Sequence, residues 1–186
     1  KYPSQFAKGK VQILPIGKKG YENFTKNGFK VISNYWDIFT GLSFDKVQAA
    51  AKHAMDAFAN KEIDAVELIY SEFKNAATQR FVAEQFLPVQ KVDKVEGQKN
   101  ADFIFEPGKD VLIAELMPKI LNTQLFKATL DANASEHGAR MTAMDKASDN
   151  ANELLKSLKI SYNRARQAAI TTELTEIVSG AAALQG

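Results

Sequence analysis

Cysteine is absent from the 186 residues, which removes disulfides, thiolate metal ligands and cysteine nucleophiles together. That fits a reducing compartment. Long apolar runs are also missing: stretches such as Ala181–Leu184 are far too short to cross a bilayer. A basic-then-apolar leader ending in a small-residue cleavage site is not found either, so any link to a membrane is expected to run through partners. Charge of one sign is scarce, with a formal balance of +2. The basic residues are scattered among acidic ones, whereas a nucleic-acid binder gathers them on one stripe. Nucleic acid is therefore not an expected partner. Hydrophobic residues at 45% and charged residues at 25% match soluble globular averages and argue against disorder throughout. The length allows one ordinary domain and an extended element.

Two halves follow different rules. Lys10–Ile16 is a short apolar strand, Gly17 to Lys26 a turn and short helix, and Phe29–Tyr35 a second strand-like run. In Ser43–Asn60 the apolar positions Val47, Ala50, Ala51, Ala54, Met55 and Phe58 keep helical spacing, with Ser43 placed as N-cap. Ala65–Phe73 reads as a buried strand and Arg80–Val89 as its return, joined by a turn at Lys74–Thr78 into a hairpin. Strands alternating with helices predict a small α/β layer structure with a mainly parallel sheet. Val92–Asn100 is polar and expected to be mobile, and Asp102–Glu106 is a last short strand before Pro107-Gly108 breaks the chain.

Beyond that break, Val111 to about Leu184 has no turn dipeptides, with Pro118 and Gly138 as the early interruptions. A helix of that length spans about 105–110 Å. Met141, Met144, Ser148, Ala151, Leu155, Leu158, Tyr162, Ala165 and Ala169 alternate three and four residues apart, an a/d heptad seam. The register then slips by one residue to Ile170, Leu174, Ile177, Ala181 and Leu184, which locally alters a supercoil. Small seam residues bury little area but let two backbones approach closely. A slim two-stranded coiled coil is expected. Its second strand must come from elsewhere, because the remaining residues are used in the α/β half.

The stretch Ser161–Leu184 contains Ile170-Thr171-x-Glu173-x-x-Glu176-x-x-x-Gly180-Ala181. Upstream stand Ser135-Glu136-x-x-x-Arg140-Met141-x-Ala143-Met144 and Asn150-Ala151, and in the first half Gly17-Lys18-Lys19-Gly20, Phe24 and the Asn60–Tyr70 passage. Together they closely resemble the gamma subunits of F-type ATP synthases, over essentially the whole chain. The resemblance implies an α/β fold: a small Rossmann-like layered foot domain at 1–107, then a long shaft helix at 108–186 forming one strand of an antiparallel coiled coil. It implies that a long N-terminal gamma helix and the first strand of the α/β domain precede this stretch, and that this helix is the absent coiled-coil partner. It further implies a central-stalk rotor coupling rotation of the membrane c-ring to the nucleotide sites of the beta subunits during proton transport and ATP synthesis. The implied partners are the alpha and beta subunits, the epsilon subunit and the c-ring. The implied location is peripheral, on the cytoplasmic face of a bacterial inner membrane rather than an organellar one. Lack of cysteine argues against the thiol-switched insertion of chloroplast members.

No catalytic group, cofactor or metal is required of such a shaft. The residues expected to meet the alpha/beta hexamer are Arg166, Gln167, Thr171, Glu173, Thr175 and Glu176, with Arg140 a further candidate. Positions 166, 173 and 176 share one helix face and 167 and 171 another; for Arg140, an intrahelical pair with Glu136 is an equal account. The bland alternative for all of them is a solvated coiled-coil flank.

Other signals carry less. Gly17-Lys18-Lys19-Gly20 resembles a phosphate loop, but lacks the two glycines separated by four residues and the hydroxyl after lysine; an ordinary helix-entry turn accounts for it. His53 and His137 are far apart in sequence and on different predicted helices, unlike converging metal ligands. Asp145 and Asp149 lie between lysines on a solvent face, and the Asn23 and Asn133 glycosylation patterns are read as chance. Two other classes compete with the rotor reading: a small α/β enzyme with a dimerising helical tail, and a self-associating helical scaffold with an α/β head and no enzymatic role.

Overall fold

The structure is a computed structural model that describes residues 10–89, 106 and 108–185; the expected mobile stretch at 92–100 and nearly all of the expected strand at 102–106 lie outside them. By internal contacts the chain divides into two units, Lys1–Ala139 and Arg140–Gly186.

The first unit opens with a strand–helix–strand passage. Strand β1 (Gln12–Ile13) runs parallel to β2 (Lys30–Val31), and helix α1 (Lys18–Lys26) connects them, as a parallel pair requires a crossover. Gly17 lets the chain enter α1 at φ 124°, a conformation unfavourable to any residue with a Cβ. Its N–H donates to the Trp36 carbonyl at 3.0 Å, so this glycine-lysine turn is a helix entry. Tyr21 stacks on Trp36 across the same corner, centroids 6.2 Å apart.

Helix α2 (Phe44–Ala59) forms as its periodicity predicts. Ser43 is the N-cap, its Oγ accepting from the Lys46 N–H at 3.4 Å, and Val47, Ala50 and Ala51 are buried. Ala54, Met55 and Phe58 continue the stripe against the core. The helix ends with Lys61 at φ 59°; its N–H reaches the Phe58 carbonyl and that of Glu62 the Ala57 carbonyl, each at 3.0 Å. This is the Schellman pattern, which satisfies carbonyls that the last turn leaves open.

Strands β3 (Val66–Asn75) and β4 (Thr78–Leu87) form an antiparallel hairpin. Asn75 Oδ1 accepts from the Ala77 N–H at 3.1 Å, a side-chain bond that closes the tight turn. The expectation of a mainly parallel sheet needs correction here. Among the described residues the parallel ladder is two residues long on each strand, while the long ladder is antiparallel. A two-residue turn permits only that sense. Nor is β3 a buried strand: exposure alternates along it, leaving Ile69 63% exposed, and on its partner β4 Phe81 is 87% exposed, as in a ladder covered on one face.

Helix α3 runs from Lys109 to Gln185 and contains Pro118. Its Leu121 and Leu125 enter the core with Ile38, Val47, Ala50, Ala51, Phe86 and Leu87. The change of element at 108–109 therefore does not coincide with the division into units at 139–140, because the first turns of α3 belong to the core of the α/β layer.

Candidate partner-binding helix and its root

In the second unit α3 is polar and apolar in stripes, with no core beneath it. Every residue from Ala143 to Leu184 is exposed. The expected seam residues from Met144 onward are among them, with Met144 62%, Leu158 57%, Tyr162 68% and Ile177 68% exposed, and Met141 just before them is exposed too. At about 100° per residue, Ile170, Leu174, Ile177, Ala181 and Leu184 make one stripe. Arg166 and Glu173 border it on one side, with Glu176 farther round, and Gln167 and Thr171 on the other, with Thr175 farther round. The seven expected contact residues are thus six flanking the second stripe and Arg140 at the start of the unit.

The two borders differ chemically. Thr171 Oγ1 donates to the Gln167 carbonyl at 2.9 Å and Thr175 Oγ1 to the Thr171 carbonyl at 2.8 Å. Each hydroxyl proton is spent on its own helix, which leaves oxygen lone pairs facing outward as acceptors. Gln167 adds a side-chain amide able to donate and accept. On the opposite border, none of the ion pairs found among the described residues involves Arg166, Glu173 or Glu176. Arg140 is exposed but already engaged by another group, as is Glu136.

In the first unit, a second constellation ties α3 to the hairpin. Glu84 Oε1 accepts from Gln124 Nε2 at 2.7 Å, and its Oε2 accepts from the Tyr70 hydroxyl at 3.2 Å. Burial, then the charge and hydrogen bond of Glu84, hold the Tyr70 phenol above its ordinary 10.0. Ser135, 2% exposed, pairs with Ser71 through their hydroxyls at 2.6 Å. Gly138 passes the hairpin so closely that a Cβ there would lie 2.9 Å from Phe73 Cε2 and 3.3 Å from Ala76 Cα.

Beside Glu84 and Gln124 lies an open cleft of about 480 Å³, floored by Phe86 and Leu121. Glu84 accepts from a donor on β3 and a donor on α3, so the constellation holds a strand pair to a helix. Sequence reading named Ser135 and Gly138 only as motif and interruption, and missed Ser71, Tyr70, Glu84 and Gln124. A mid-helix glycine was the signal available, since glycine disfavours helix unless close packing requires it. Among the described residues no helix is long and apolar enough to cross a membrane.

Comparison with known proteins gives consistent results. A family model described as ATP synthase matches residues 3–184. The chain is 50% identical to the ATP synthase gamma chain of Cytophaga hutchinsonii, an alignment covering 99% of this chain and 63% of that one. It is 49% identical to that of Flavobacterium psychrophilum, covering 97% and 63%, and 48% identical to that of Chlorobium phaeobacteroides, covering 96% and 61%. The chain thus spans less than two thirds of the length of these relatives. Among solved structures, it resembles a chain of the Euglena gracilis mitochondrial ATP synthase OSCP/F1/c-ring in rotational state 3. The TM-score is 0.58 at 19% identity, covering 95% of this chain and 63% of that one. A chain of the rotor of the same synthase in rotational state 1 gives 0.54 at 18%, covering 86% and 63%. At such identities these likenesses speak to the fold alone.

Proposed function

Since the chain belongs to the ATP synthase gamma-chain family, we propose that it forms the larger part of the central-stalk rotor subunit of a proton-translocating F-type ATP synthase. In this reading the α/β unit is the foot, resting on the c-ring with the epsilon subunit. The helix from Arg140 onward is the shaft inside the alpha/beta hexamer, completed by an N-terminal gamma helix lying on the seam. The subunit is non-catalytic: it converts rotation into conformational change at nucleotide sites carried by the beta subunits. Its membrane contact runs through the complex, on the cytoplasmic face of a bacterial inner membrane.

The observation that carries this reading is the exposed helix of the second unit, whose unpartnered seam is flanked by Arg166, Glu173 and Glu176 on one side and Gln167, Thr171 and Thr175 on the other. A shaft can bias the state of a site only through contacts that differ between its conformations. Directional polar groups on an otherwise small-residue rod can make such contacts; apolar stripes alone make them with little angular preference. The foot needs no nucleotide of its own, so calorimetry with micromolar ATP should record no binding to the isolated chain.

The test is substitution in the full-length subunit reassembled into the complex. Gln167→Ala and Glu173→Ala should assemble normally, since exposed changes shift stability by only about 0.5 kcal/mol. Each should slow ATP hydrolysis and proton-driven synthesis, by about tenfold for every 1.4 kcal/mol of lost barrier stabilisation. Lys156→Ala serves as the control. Tip variants that match the control in both activities would reduce these residues to a solvated flank. The same bare seam also supports the scaffold reading. Co-purification separates the two: a rotor subunit brings alpha and beta subunits with it, whereas a scaffold brings only copies of itself.

A further inference from the structure

Building on the rotor reading, we propose that Gly138 is a register key: with Phe73 and Ala76 at the hairpin tip it forms a fixed joint that stops α3 turning or sliding against the foot. The joint sits at the end of the first unit, whose last residue is Ala139. Gly138 is the only glycine of α3 before Gly180, and the space where its Cβ would stand is taken by Phe73 Cε2 and by the Ala76 backbone.

The geometry makes the joint specific in two directions. Rotating α3 by one residue, about 100°, would bring His137 or Ala139 against Phe73; sliding it by about one turn would bring Ala134 or Thr142. All four carry a Cβ, so every neighbouring register meets the 2.9 Å obstruction that glycine avoids. Phe73 is a side chain and can swing aside. Ala76 presents backbone, which cannot move without disturbing the turn held by Asn75.

Two polar contacts brace the key. One turn earlier the buried Ser135 hydroxyl meets that of Ser71 at 2.6 Å. About four turns earlier, Gln124 donates to Glu84, which also accepts from Tyr70. The three contacts lie on a single α3 segment and engage both strands, so spinning the helix would break all of them together. A shaft that delivers torque to a foot needs such a joint, because a helix held by apolar contacts alone can re-pack in several registers.

The absence of cysteine permits a direct test with Ser71→Cys/Ser135→Cys in the full-length subunit, reassembled into its complex in sealed vesicles. The side chains at 71 and 135 meet tip to tip, their hydroxyl oxygens 2.6 Å apart, so oxidation of a cysteine pair there should link them. With the joint stationary throughout the cycle, the linked and reduced complexes should hydrolyse ATP and pump protons equally well. Oxidation that arrests turnover, with reduction restoring it, would show that helix and hairpin move past each other and overturn the proposal. So would failure of the disulfide to form in the folded complex.

Gly138→Val supplies the converse. Hydrolysis should persist while proton pumping per ATP falls, because overpacking at the joint favours a shifted register. Normal pumping by an assembled Gly138→Val complex would overturn the proposal, and if that variant fails to fold, the cysteine pair decides alone. Should the unaltered subunit fail to assemble with nucleotide-binding subunits, the rotor reading itself fails. The hairpin–helix register is then judged by disulfide formation in the isolated chain.

Discussion

Lys61 shows how a single residue carries strain that the rest of the fold outweighs. It sits at φ 59° beyond the end of α2, where the Schellman bonds of Lys61 and Glu62 hold it in a region that costs most residues about 1–2 kcal/mol. Glycine there is free of that cost but loses more chain entropy on folding. Lys61→Gly should therefore stabilise the first unit by about 0.5–1 kcal/mol, read as a raised denaturant midpoint at unchanged slope. An unchanged or lowered midpoint would mean that the lysine is not strained. Gly138 is the opposite case: it costs its helix about 1 kcal/mol relative to alanine, yet alanine would collide with the hairpin. Lys61 does not stand out in a list of propensities; Gly138 does, but the reason for it lies in hairpin atoms that belong to another element. The charged and amide groups of the distal helix were legible by contrast. Arg166, Gln167 and Glu173 lie on a regular helix, where sequence spacing alone sets their face.

Among elements, α2 was the most legible, because its cap, its stripe and its end are local features that the chain writes in consecutive residues. The hairpin was legible as two runs and a turn but misread in its burial, since the face a strand covers depends on what is laid against it. That covering element is the start of α3, through Gln124 and Ser135. The union makes a pH-dependent prediction. Tyr70 is held above its ordinary 10.0, first by burial and then by Glu84. A group whose folded value is raised contributes stability that is present below its unfolded value and is lost as pH rises through the folded one. Stability should therefore fall on titration from about 10 upward, with the Tyr70 phenolate appearing later than those of exposed tyrosines. Tyr70→Phe should flatten that alkaline decline, and an identical profile in the variant would deny Tyr70 the role. At the other end of the scale, Lys119 bonds the exposed Glu115 at 2.6 Å and holds its carboxyl below the ordinary 4.5. Its contribution is present above the unfolded value and is lost as pH falls through the folded one.

On the scale of the whole molecule, the two units differ in what stabilises them. The first has a core of packed side chains from both hairpin strands and two helices. The second is a helix of about 70 Å with an exposed seam, and long helices gain most of their stability from packing. The isolated chain should therefore lose helicity from its distal end when dilute and associate when concentrated. Sedimentation and circular dichroism measured together over a concentration series would detect this, and hydrogen exchange should be faster from Ala143 to Leu184 than in α2. A fully helical monomer at every concentration would rule it out. In the full-length subunit the effect should disappear, because the proposed N-terminal helix would occupy the seam.

By itself the sequence determined the helix at Ser43–Asn60, the two hairpin strands and the long distal helix with its slipped seam. It also carried the motif that places the chain in its family. These are properties of residues close together along the chain, where spacing translates directly into a face, a cap or a register. Tertiary structure decided that the sheet ladder is mainly antiparallel, that β3 is only half covered, and that the unit boundary falls well inside α3 rather than at its start. It also decided why a glycine interrupts that helix. The half-covered strand and the helix glycine depend on atoms brought together from some forty to sixty-five positions apart, as Ser71 and Ser135 or Glu84 and Gln124 are. Local pattern has no access to such distances: the close approach at Gly138 exists only once the hairpin lies against the helix.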